Sequence, residues 1–402
     1  QSANNSPLGV LNSDGYRKDE DNTMLTAITL EQDIPFVKGL SVKGVFGYDP
    51  TVNYYKSYHV PFIYQNIDLN SQPYTFTDAV SAQEGNGKLF TWLEQENRRM
   101  RTYTYQGYLN YNRSFGDHSI TALFVAEATN RKSDFFSARR ENFTLDIDEL
   151  DFGSSVLADS TNNGSSVSSS EIGYVYRLGY NYNNKYIIDI SGRYDGHYSF
   201  GQDNRWGFFP AFSGAWRLSE EKFMDQFSNV DNLKLRASWG KSGNLPYFIN
   251  DDGSSRIADY QYLSAYDLRG GKYAFGTGDL VQGSRQLSEA NPNITWETSE
   301  KTDIGFDLNM WKGLLNVEFD YFQEKRMDML LAPQVTVPVE YGLALSQENR
   351  GSMKNKGFEI SLGTSKEFEN GLQMLVNANF SYSKNEIIQD FQTDAQRLNP
   401  NR

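Results

Sequence analysis

The sequence predicts an all-β fold, an antiparallel transmembrane β-barrel with short periplasmic turns and long extracellular loops. The first observation is composition: aromatic residues reach 14% although hydrophobic residues make up only 38%, and aromatic side chains suit a pleated surface. The second is a period-two alternation of apolar and polar residues along most of the chain. The third is the alternation of short and long connections, which a barrel in the outer membrane requires.

Composition also excludes several classes of protein. The net charge of −13 argues against nucleic acid as a partner, since phosphates require a basic surface. The absence of Cys excludes disulfides, thiolate metal sites and a Cys nucleophile. The sequence has no apolar run of about 18 residues, so it predicts no transmembrane helix. Strands of about 10 residues are nevertheless enough for a barrel to span the membrane. The chain begins without signal-peptide features, which suggests a removed signal or a piece of a longer protein.

Alternation predicts about twelve strands, with boundaries uncertain by about two to four residues. No convincing amphipathic helix longer than about three turns interrupts them. The predicted strands are 22 to 34, 39 to 56, 98 to 113, 118 to 131, 171 to 182, 185 to 196, 205 to 217, 232 to 242, 296 to 310, 314 to 328, 353 to 364 and 372 to 385.

The stretch from residue 103 to 128 shows the two faces of a predicted hairpin. Alternate positions separate an aromatic and aliphatic face from an amide and hydroxyl face, and the turn "FGD" joins the two strands. We expect the first face to contact lipid and the second to line the lumen. The lipid face comprises Tyr103, Leu109, Tyr111, Ile120 and Phe124, and the lumen face comprises Thr104, Gln106, Asn110 and Asn112.

The connections between strands differ in length in a regular way. Short turns such as "FGD", "NN" and "WKG" alternate with long polar stretches near 57 to 97, 132 to 170, 243 to 295 and 329 to 352. Antiparallel pairing places alternate connections at opposite ends of a sheet, so one end has turns and the other has loops. A soluble sheet packed on a core also alternates, but a sandwich has no reason to sort its loops in this way.

Several blocks resemble SusC/RagA-type TonB-dependent transporters, the nutrient importers of Bacteroidetes outer membranes. The most specific is "LKLRASWGKSGN", residues 233 to 244; residues 184 to 224, 291 to 331 and 349 to 363 are similar to neighbouring family blocks. "SPLGVLN" and "VKGLSVKGVFGYD" look like segments nearer the start of the barrel. The positions that carry the family signature are Arg193, Asp195, Arg205, Trp206, Arg236, Trp239, Gly240, Gly243 and Asn244.

The resemblance implies more than this chain contains. Such transporters have barrels of about 22 strands with a plugged lumen, so residues 1 to 402 are expected to be a partial barrel domain that lacks the plug and the last strands. Unpaired edge strands are not tolerated in lipid, and we therefore expect the piece not to insert or transport alone. The resemblance further implies an outer-membrane location, contact with TonB through the plug, and a SusD-like surface lipoprotein as partner.

The signature residues also have physical interpretations. Gly240, Gly243 and Asn244 supply backbone freedom where a strand meets its loop. Arginine and aspartate residues recur together, which predicts charge pairs that face the lumen or the loop rim. The residues concerned are Arg193, Arg205 and Arg236, beside Asp195 and Asp203. The tryptophans at strand ends, Trp206, Trp216, Trp239, Trp296 and Trp311, are expected to anchor the interface or to pack.

Motifs for catalysis or cofactors are weak. His59, His118 and His197 are too far apart to suggest a metal site from spacing. The acidic run Asp146 to Asp151 could offer oxygens to calcium, but it lacks the Gly-containing EF-hand spacing, and we interpret it as a solvated loop. "GNGKLF" lacks the spacing of a phosphate loop, and no G-x-S-x-G motif is present. The chain is therefore predicted to be no enzyme and to need no cofactor.

The long loops are rich in aromatic residues. Flat rings beside amides and carboxylates can stack on sugars and bind hydroxyl groups; alternatively, the rings fold the loops onto each other or onto a partner protein. We expect import of oligosaccharides or peptides, with a siderophore or vitamin receptor and a soluble secreted glycan-binding protein as alternatives. The candidate substrate-binding residues are Tyr64, Tyr74, Tyr247, Phe248, Tyr260, Tyr262 and Tyr266.

Overall fold

The computed structural model is an antiparallel β structure, as the sequence predicts. It describes residues 11, 13–80, 91–245, 247–249, 255–257, 260–268, 271–274, 276, 278, 280–333, 338–343 and 345–390. The chain forms two compact units. The first comprises Gln1–Ile28, Val45–Tyr105 and Thr129–Ser170, and the second comprises Thr29–Gly44, Gln106–Ala128 and Glu171–Arg402.

The described residues form 21 strands and a few single-turn 3₁₀ helices. No helix among these residues is long and apolar enough to cross a membrane. The strands are β1 (Tyr16–Thr23), β2 (Ala27–Asp33), β3 (Leu40–His59), β4 (Ile63–Asp68), β5 (Thr75–Val80), β6 (Trp92–Phe115), β7 (His118–Glu141), β8 (Ser160–Tyr182), β9 (Tyr186–His197), β10 (Trp206–Arg217), β11 (Val230–Asn244), β12 (Tyr247–Ile249), β13 (Ser255–Ile257), β14 (Ala265–Asp267), β15 (Lys272–Ala274), β16 (Leu280–Gln282), β17 (Arg285–Ser288), β18 (Glu297–Met310), β19 (Leu315–Leu331), β20 (Glu348–Glu367) and β21 (Gln373–Gln389).

Thirteen of these strands form one sheet in the order β1-β3-β6-β7-β8-β9-β10-β11-β18-β19-β20-β21, and β2 also pairs with β3. The prediction of one strand over 22 to 34 is therefore wrong, because β1 and β2 divide it. The break coincides with residues Asp49 and Pro50 of β3. The Thr26 amide donates to the Asp49 carboxylate (3.1 Å) instead of continuing a regular ladder, and Pro50 has no N–H to donate.

Short and long connections alternate along this sheet as predicted, with one exception: the β9–β10 link (198–205) has eight residues, fewer than the twelve of the β10–β11 connection (218–229). The tight turns contain residues with left-handed backbone: Gly116 has φ of 59° and Gly313 of 82°, a region that favours glycine. The long connections cover residues 60–91, 142–159, 245–296 and 332–347. The first and third carry short ribbons of their own, β4–β5 and the pairs β12–β13, β14–β17 and β15–β16, which sequence periodicity did not predict.

The strands extend further toward the long connections than predicted. Strand β7 continues to Glu141 rather than 131, and β8 begins at Ser160 rather than 171. The added part of β8 reads "STNNGSSVSSS", which is polar on both faces. Alternation predicts only strands with one apolar face, so it finds the segment that contacts lipid and misses the polar continuation.

The most buried hydrophobic cluster lies beside the loop end of the second unit. Phe200, Phe209, Ile294 and Trp296 are 0% to 9% exposed, and Leu245, Tyr262 and Leu330 pack against them. Trp296 therefore packs inside the protein. The cluster joins the β9–β10 link to the end of the connection between β11 and β18, and it holds that long connection on the sheet.

Candidate functional site

The polar face of β11, β18 and β19 carries a charge cluster centred on Arg236. Its Nε donates to Asp307 (2.9 Å), its Nη2 donates to Asp320 (2.7 Å), and its Nη1 lies 3.7 Å from Asp303. Lys234 donates to Asp307 at 3.3 Å. Two cations therefore face three carboxylates. Asp303 and Asp307 lie on the neighbouring strand β18, and the Arg236 side chain reaches past β18 to Asp320 on β19.

Strand register and one glycine make this cluster possible. Arg236 pairs with Gly305, which in turn pairs with Asp320. A Cβ at position 305 would lie 2.4 Å from the Asp320 carboxylate and 3.1 Å from the Arg236 guanidinium carbon. The sequence predicted a charge pair for Arg236, but not these partners, because 52 residues of connection separate β11 from β18. The only signal was the position of Asp303 and Asp307 on the polar face of their predicted strand.

A second cluster lies around Arg193. The guanidinium donates to Asp195 through two nitrogens, at 3.0 Å each, and to Glu127 at 2.6 Å. Asp195 is the partner that the sequence suggested. Gly173 leaves room for the pair, since a Cβ there would lie 2.7 Å from the Asp195 carboxylate.

An open cavity with a volume of about 530 Å³ lies beside these clusters on the polar face. Cross-strand register brings Asp189, Ser213, Ser238 and Asp303 into one row across four strands. Small residues form the middle of the row and aspartates its two ends. Such a surface offers hydroxyl and carboxylate groups to hydrated polar groups. Its lining includes Asp189, Ser191, Ser213, Ser238, Ser242, Lys301 and Asp303.

The opposite face of the same strands is apolar and aromatic. Trp206 stacks on Tyr194, with ring centroids 4.8 Å apart, and Trp239 stacks on Phe212 at 5.9 Å. These rings are exposed in the structure although they are large and hydrophobic. Exposed aromatic rings on one face of a transmembrane strand are typical of the surface that contacts lipid and its headgroups.

The other signature residues have structural roles near the loop end. The Arg205 Nε donates to the Phe200 carbonyl at 3.4 Å, and Asn244 donates to the Glu297 carboxylate at 3.1 Å. A Cβ at Gly243 would lie 2.0 Å from the Phe209 ring, and one at Gly240 would lie 3.1 Å from the Ala211 Cβ. Both glycines pair regularly within β11 and neither has left-handed backbone. Close packing therefore accounts for them, and the prediction that they supply backbone freedom is wrong.

Two of the candidate aromatic residues of the loops, Tyr260 and Tyr262, lie together with ring centroids 6.2 Å apart. Tyr262 packs on the buried cluster around Phe200, and the Tyr260 ring meets Tyr198 edge to face at 5.5 Å. Tyr74 and Tyr266 are largely exposed. Sequence reasoning missed Tyr198 and Phe200, whose only signal was aromatic residues in a medium-length link. The side chains of Tyr64, Tyr247 and Phe248 lie outside the described residues.

The acidic run from residue 146 to 151 is engaged by neighbouring side chains. The Tyr58 hydroxyl donates to Asp146 at 2.8 Å, and the Lys56 ammonium lies 3.0 Å from Asp148. Burial, and then the hydrogen bond to Asp146, raise the pKa of Tyr58. Among the described residues, no group of three or more histidine or acidic side chains is placed to hold a metal.

The three histidines have separate surroundings. His118 is within 2.7 Å of the Tyr180 hydroxyl, and His59 stacks on Trp92 with ring centroids 5.4 Å apart. His197 is buried, and its ring meets Trp296 edge to face. Each ring therefore has an aromatic neighbour. The segment "GNGKLF" lies outside the described residues.

An antiparallel sheet with one aromatic and one charged face, and with sorted connections, defines a wall of an outer-membrane receptor barrel. The chain belongs to the family described as TonB dependent receptor-like, beta-barrel, whose model matches residues 2–402. It is similar to TonB-dependent receptor P26 of Formosa agariphila, with 32% identity over 79% of this chain and 31% of the relative. It is also similar to TonB-dependent receptor SusC of Bacteroides thetaiotaomicron, with 28% identity over 54% of this chain and 20% of SusC.

A solved structure shows the same fold. A chain of the RagAB peptide importer superposes with a TM-score of 0.72 at 21% identity, covering 94% of this chain and 38% of the other. Compared with P26, the chain spans about a third of the relative's length. The family is one of outer-membrane receptors and not of enzymes, so this protein belongs to the outer membrane. The alternative of a soluble secreted protein is wrong, because the family model matches nearly the whole chain.

Proposed function

We propose that the complete receptor to which this barrel belongs imports oligosaccharides or peptides across the outer membrane. The observation that carries the proposal is the polar face of the sheet. It carries serine hydroxyls, and beside them Arg236 lies among four other charged groups, on strands whose other face is aromatic. A wall of this kind suits a lumen through which a hydrated solute passes.

The substrate class rests on the loops and on the family. Exposed rings such as Tyr74 and Tyr266 can stack on sugar or peptide groups. The similarity to SusC and the fold shared with the RagAB peptide importer favour these substrates over siderophores or vitamins. Energy is proposed to come from TonB, and a SusD-like surface lipoprotein is proposed to deliver the substrate.

Uptake in cells tests the proposal. The receptor gene is deleted and restored, and entry of a fluorescent oligosaccharide library and a peptide library into the periplasm is measured with and without a protonophore. We expect uptake of members of one library that needs both the receptor and the proton gradient. Receptor-dependent uptake of a ferric siderophore alone would instead establish the alternative, and uptake that ignores the proton gradient would contradict TonB coupling.

A further inference from the structure

The lipid-facing side of β9, β10, β11 and β18 contains an apolar groove with a volume of about 420 Å³. Gly214 pairs with Ala237, and these two small residues form its floor. Gly214 also pairs with Ile188, and Ala237 pairs with Ile304, so a large side chain flanks the floor on either side. We call this surface the wall groove; its lining includes Ile188, Gly214, Trp216, Leu235, Ala237 and Ile304.

Toward the short turns, the wall groove ends at two aromatic rings. Tyr186 lies opposite Trp216 on the neighbouring strand, and their rings stack with centroids 6.4 Å apart. The short turns are on the periplasmic side, and Tyr and Trp near the ends of membrane strands mark the depth of the lipid headgroups. The wall groove therefore lies in the hydrocarbon of the periplasmic leaflet, next to the headgroup layer.

A pair of opposite charges lies beside these rings, at the depth of the headgroups. The Glu221 carboxylate accepts hydrogen bonds from the Tyr186 hydroxyl at 2.6 Å and from the Trp216 indole at 3.2 Å. The Lys185 ammonium lies 3.6 Å from the same carboxylate. An ammonium group has three N–H donors, so Lys185 can donate to a phosphate while it stays beside Glu221.

We propose that the wall groove binds an acyl chain of a zwitterionic phospholipid of the ethanolamine class, with the headgroup at Lys185 and Glu221. The lipid phosphate accepts from Lys185, and the lipid ammonium donates to Glu221 beside the faces of Tyr186 and Trp216. The groove is continuous with the apolar face that contacts lipid, which is why the occupant is a lipid. The inference goes beyond the proposed function and does not depend on which solute the receptor imports.

Charge distinguishes this lipid from an anionic one. Anionic headgroups are bound by clusters of Lys and Arg, whereas Lys185 is balanced by Glu221. The β10–β11 connection, residues 218 to 229, adds Glu220 and Asp225 but only one cation, Lys222. The surroundings of the groove therefore match a headgroup that carries both a phosphate and an ammonium.

The test fills the wall groove with a side chain. A Cβ at Gly214 would have only the Ile187 carbonyl oxygen within 4 Å, at 3.9 Å, so the side chain of Gly214→Leu enters the groove without a clash at its Cβ. Gly107→Leu is the matched control. By alternation Gly107 lies on the lipid-facing side of β6, and nothing lies within 4 Å of a Cβ there.

The complete receptor is purified in detergent, stripped of lipid and titrated with phosphatidylethanolamine or with phosphatidylglycerol of the same acyl chains. Native mass spectrometry measures the lipid bound. We expect wild-type receptor to bind one phosphatidylethanolamine about fivefold more tightly than phosphatidylglycerol. Gly214→Leu should weaken this binding about fivefold and Gly107→Leu less than about twofold. Glu221→Gln should remove most of the preference between the two lipids, because the lipid ammonium loses its carboxylate.

Three results would overturn the inference. The first is equal binding of the two lipids to the wild-type receptor, and the second is unchanged phosphatidylethanolamine binding by Gly214→Leu. The third is a receptor dimer that Gly214→Leu dissociates while lipid binding is unchanged, which would make the wall groove an interface between two copies.

Discussion

Arg236 neutralises carboxylates from two neighbouring strands, and its side chain is only 29% exposed. Replacing it with Met leaves Asp303, Asp307 and Asp320 close together without the shared cation. We expect the free energy of unfolding of the complete receptor to fall by about 2 kcal/mol, which is the contribution typical of hydrogen bonds to charged groups. The measurement is the midpoint temperature at which the folded band disappears on an SDS gel.

The control is Arg326→Met on the same face, where one guanidinium that is 58% exposed pairs with Glu324. An exposed pair contributes about 0 to 1 kcal/mol, so its midpoint should change little. Equal shifts for the two variants would show that the three-carboxylate cluster has no special importance.

Gly243 tests packing at the end of β11. Alanine there would place a Cβ 2.0 Å from the Phe209 ring, and such overpacking costs about 1 to 3 kcal/mol. We expect Gly243→Ala to reduce the amount of folded receptor in the outer membrane. Gly107→Ala is the matched control, since nothing lies within 4 Å of a Cβ at that position; a comparable loss for Gly107→Ala would refute the packing argument.

Individual residues were only partly predictable from the sequence. Arg193 and Asp195 are two positions apart on one strand face, so their pairing follows from periodicity. The partners of Arg236 depend on which strand lies next to β11, and a long connection hides that neighbour from local pattern. The packing of Tyr262 on Phe200 and Ile294 likewise depends on tertiary contacts that no spacing reveals.

At the scale of elements, the turn between β10 and β11 makes a pH-sensitive contact. Glu221 accepts hydrogen bonds from the Tyr186 hydroxyl (2.6 Å) and from the Trp216 indole (3.2 Å). The Tyr186 bond, and then the Trp216 bond, hold the pKa of Glu221 below its ordinary value of 4.5. A carboxylate whose pKa is lower in the folded state than in the unfolded state stabilises the fold at pH values above its unfolded-state pKa. That stabilisation is lost as the pH falls through the folded-state pKa.

We therefore expect Glu221→Gln to flatten the pH dependence of receptor stability between neutral pH and pH values below 4.5. Stability is followed as the urea midpoint of tryptophan fluorescence in detergent. Glu220→Gln, its neighbour in the same turn, is the control. An unchanged pH profile for Glu221→Gln would mean that this carboxylate contributes nothing to the turn.

Elements were predicted well where one face contacts lipid. Strands β9, β10 and β18 begin and end within about two residues of their predicted bounds. The polar extension of β8 and the ribbons β14–β17 and β15–β16 were missed, because neither has the one-sided alternation on which the prediction depends. The division of β1 from β2 was missed because Pro50 acts from the neighbouring strand.

At the scale of the whole molecule, the strand order ends at β1 and β21, which have no outer neighbour among the described strands. Unpaired backbone groups are costly in lipid. We expect a polypeptide of residues 1 to 402 to fail to insert into liposomes, as judged by its digestion by external protease. The complete receptor, refolded in parallel, should become protected. Protection of the short polypeptide would contradict the need for additional strands.

The central claim is that one face of this sheet contacts lipid and the other lines the lumen. Leu109 is 44% exposed on the apolar face of β6, and Asn110 follows on the polar face. Arginine facing lipid near the midplane costs about 2 to 4 kcal/mol. The decisive measurement is the amount of folded complete receptor in the outer membrane for Leu109→Arg and Asn110→Arg. We predict a large loss for Leu109→Arg and near-normal insertion for Asn110→Arg; equal effects, or the reverse order, would contradict the assignment of the two faces.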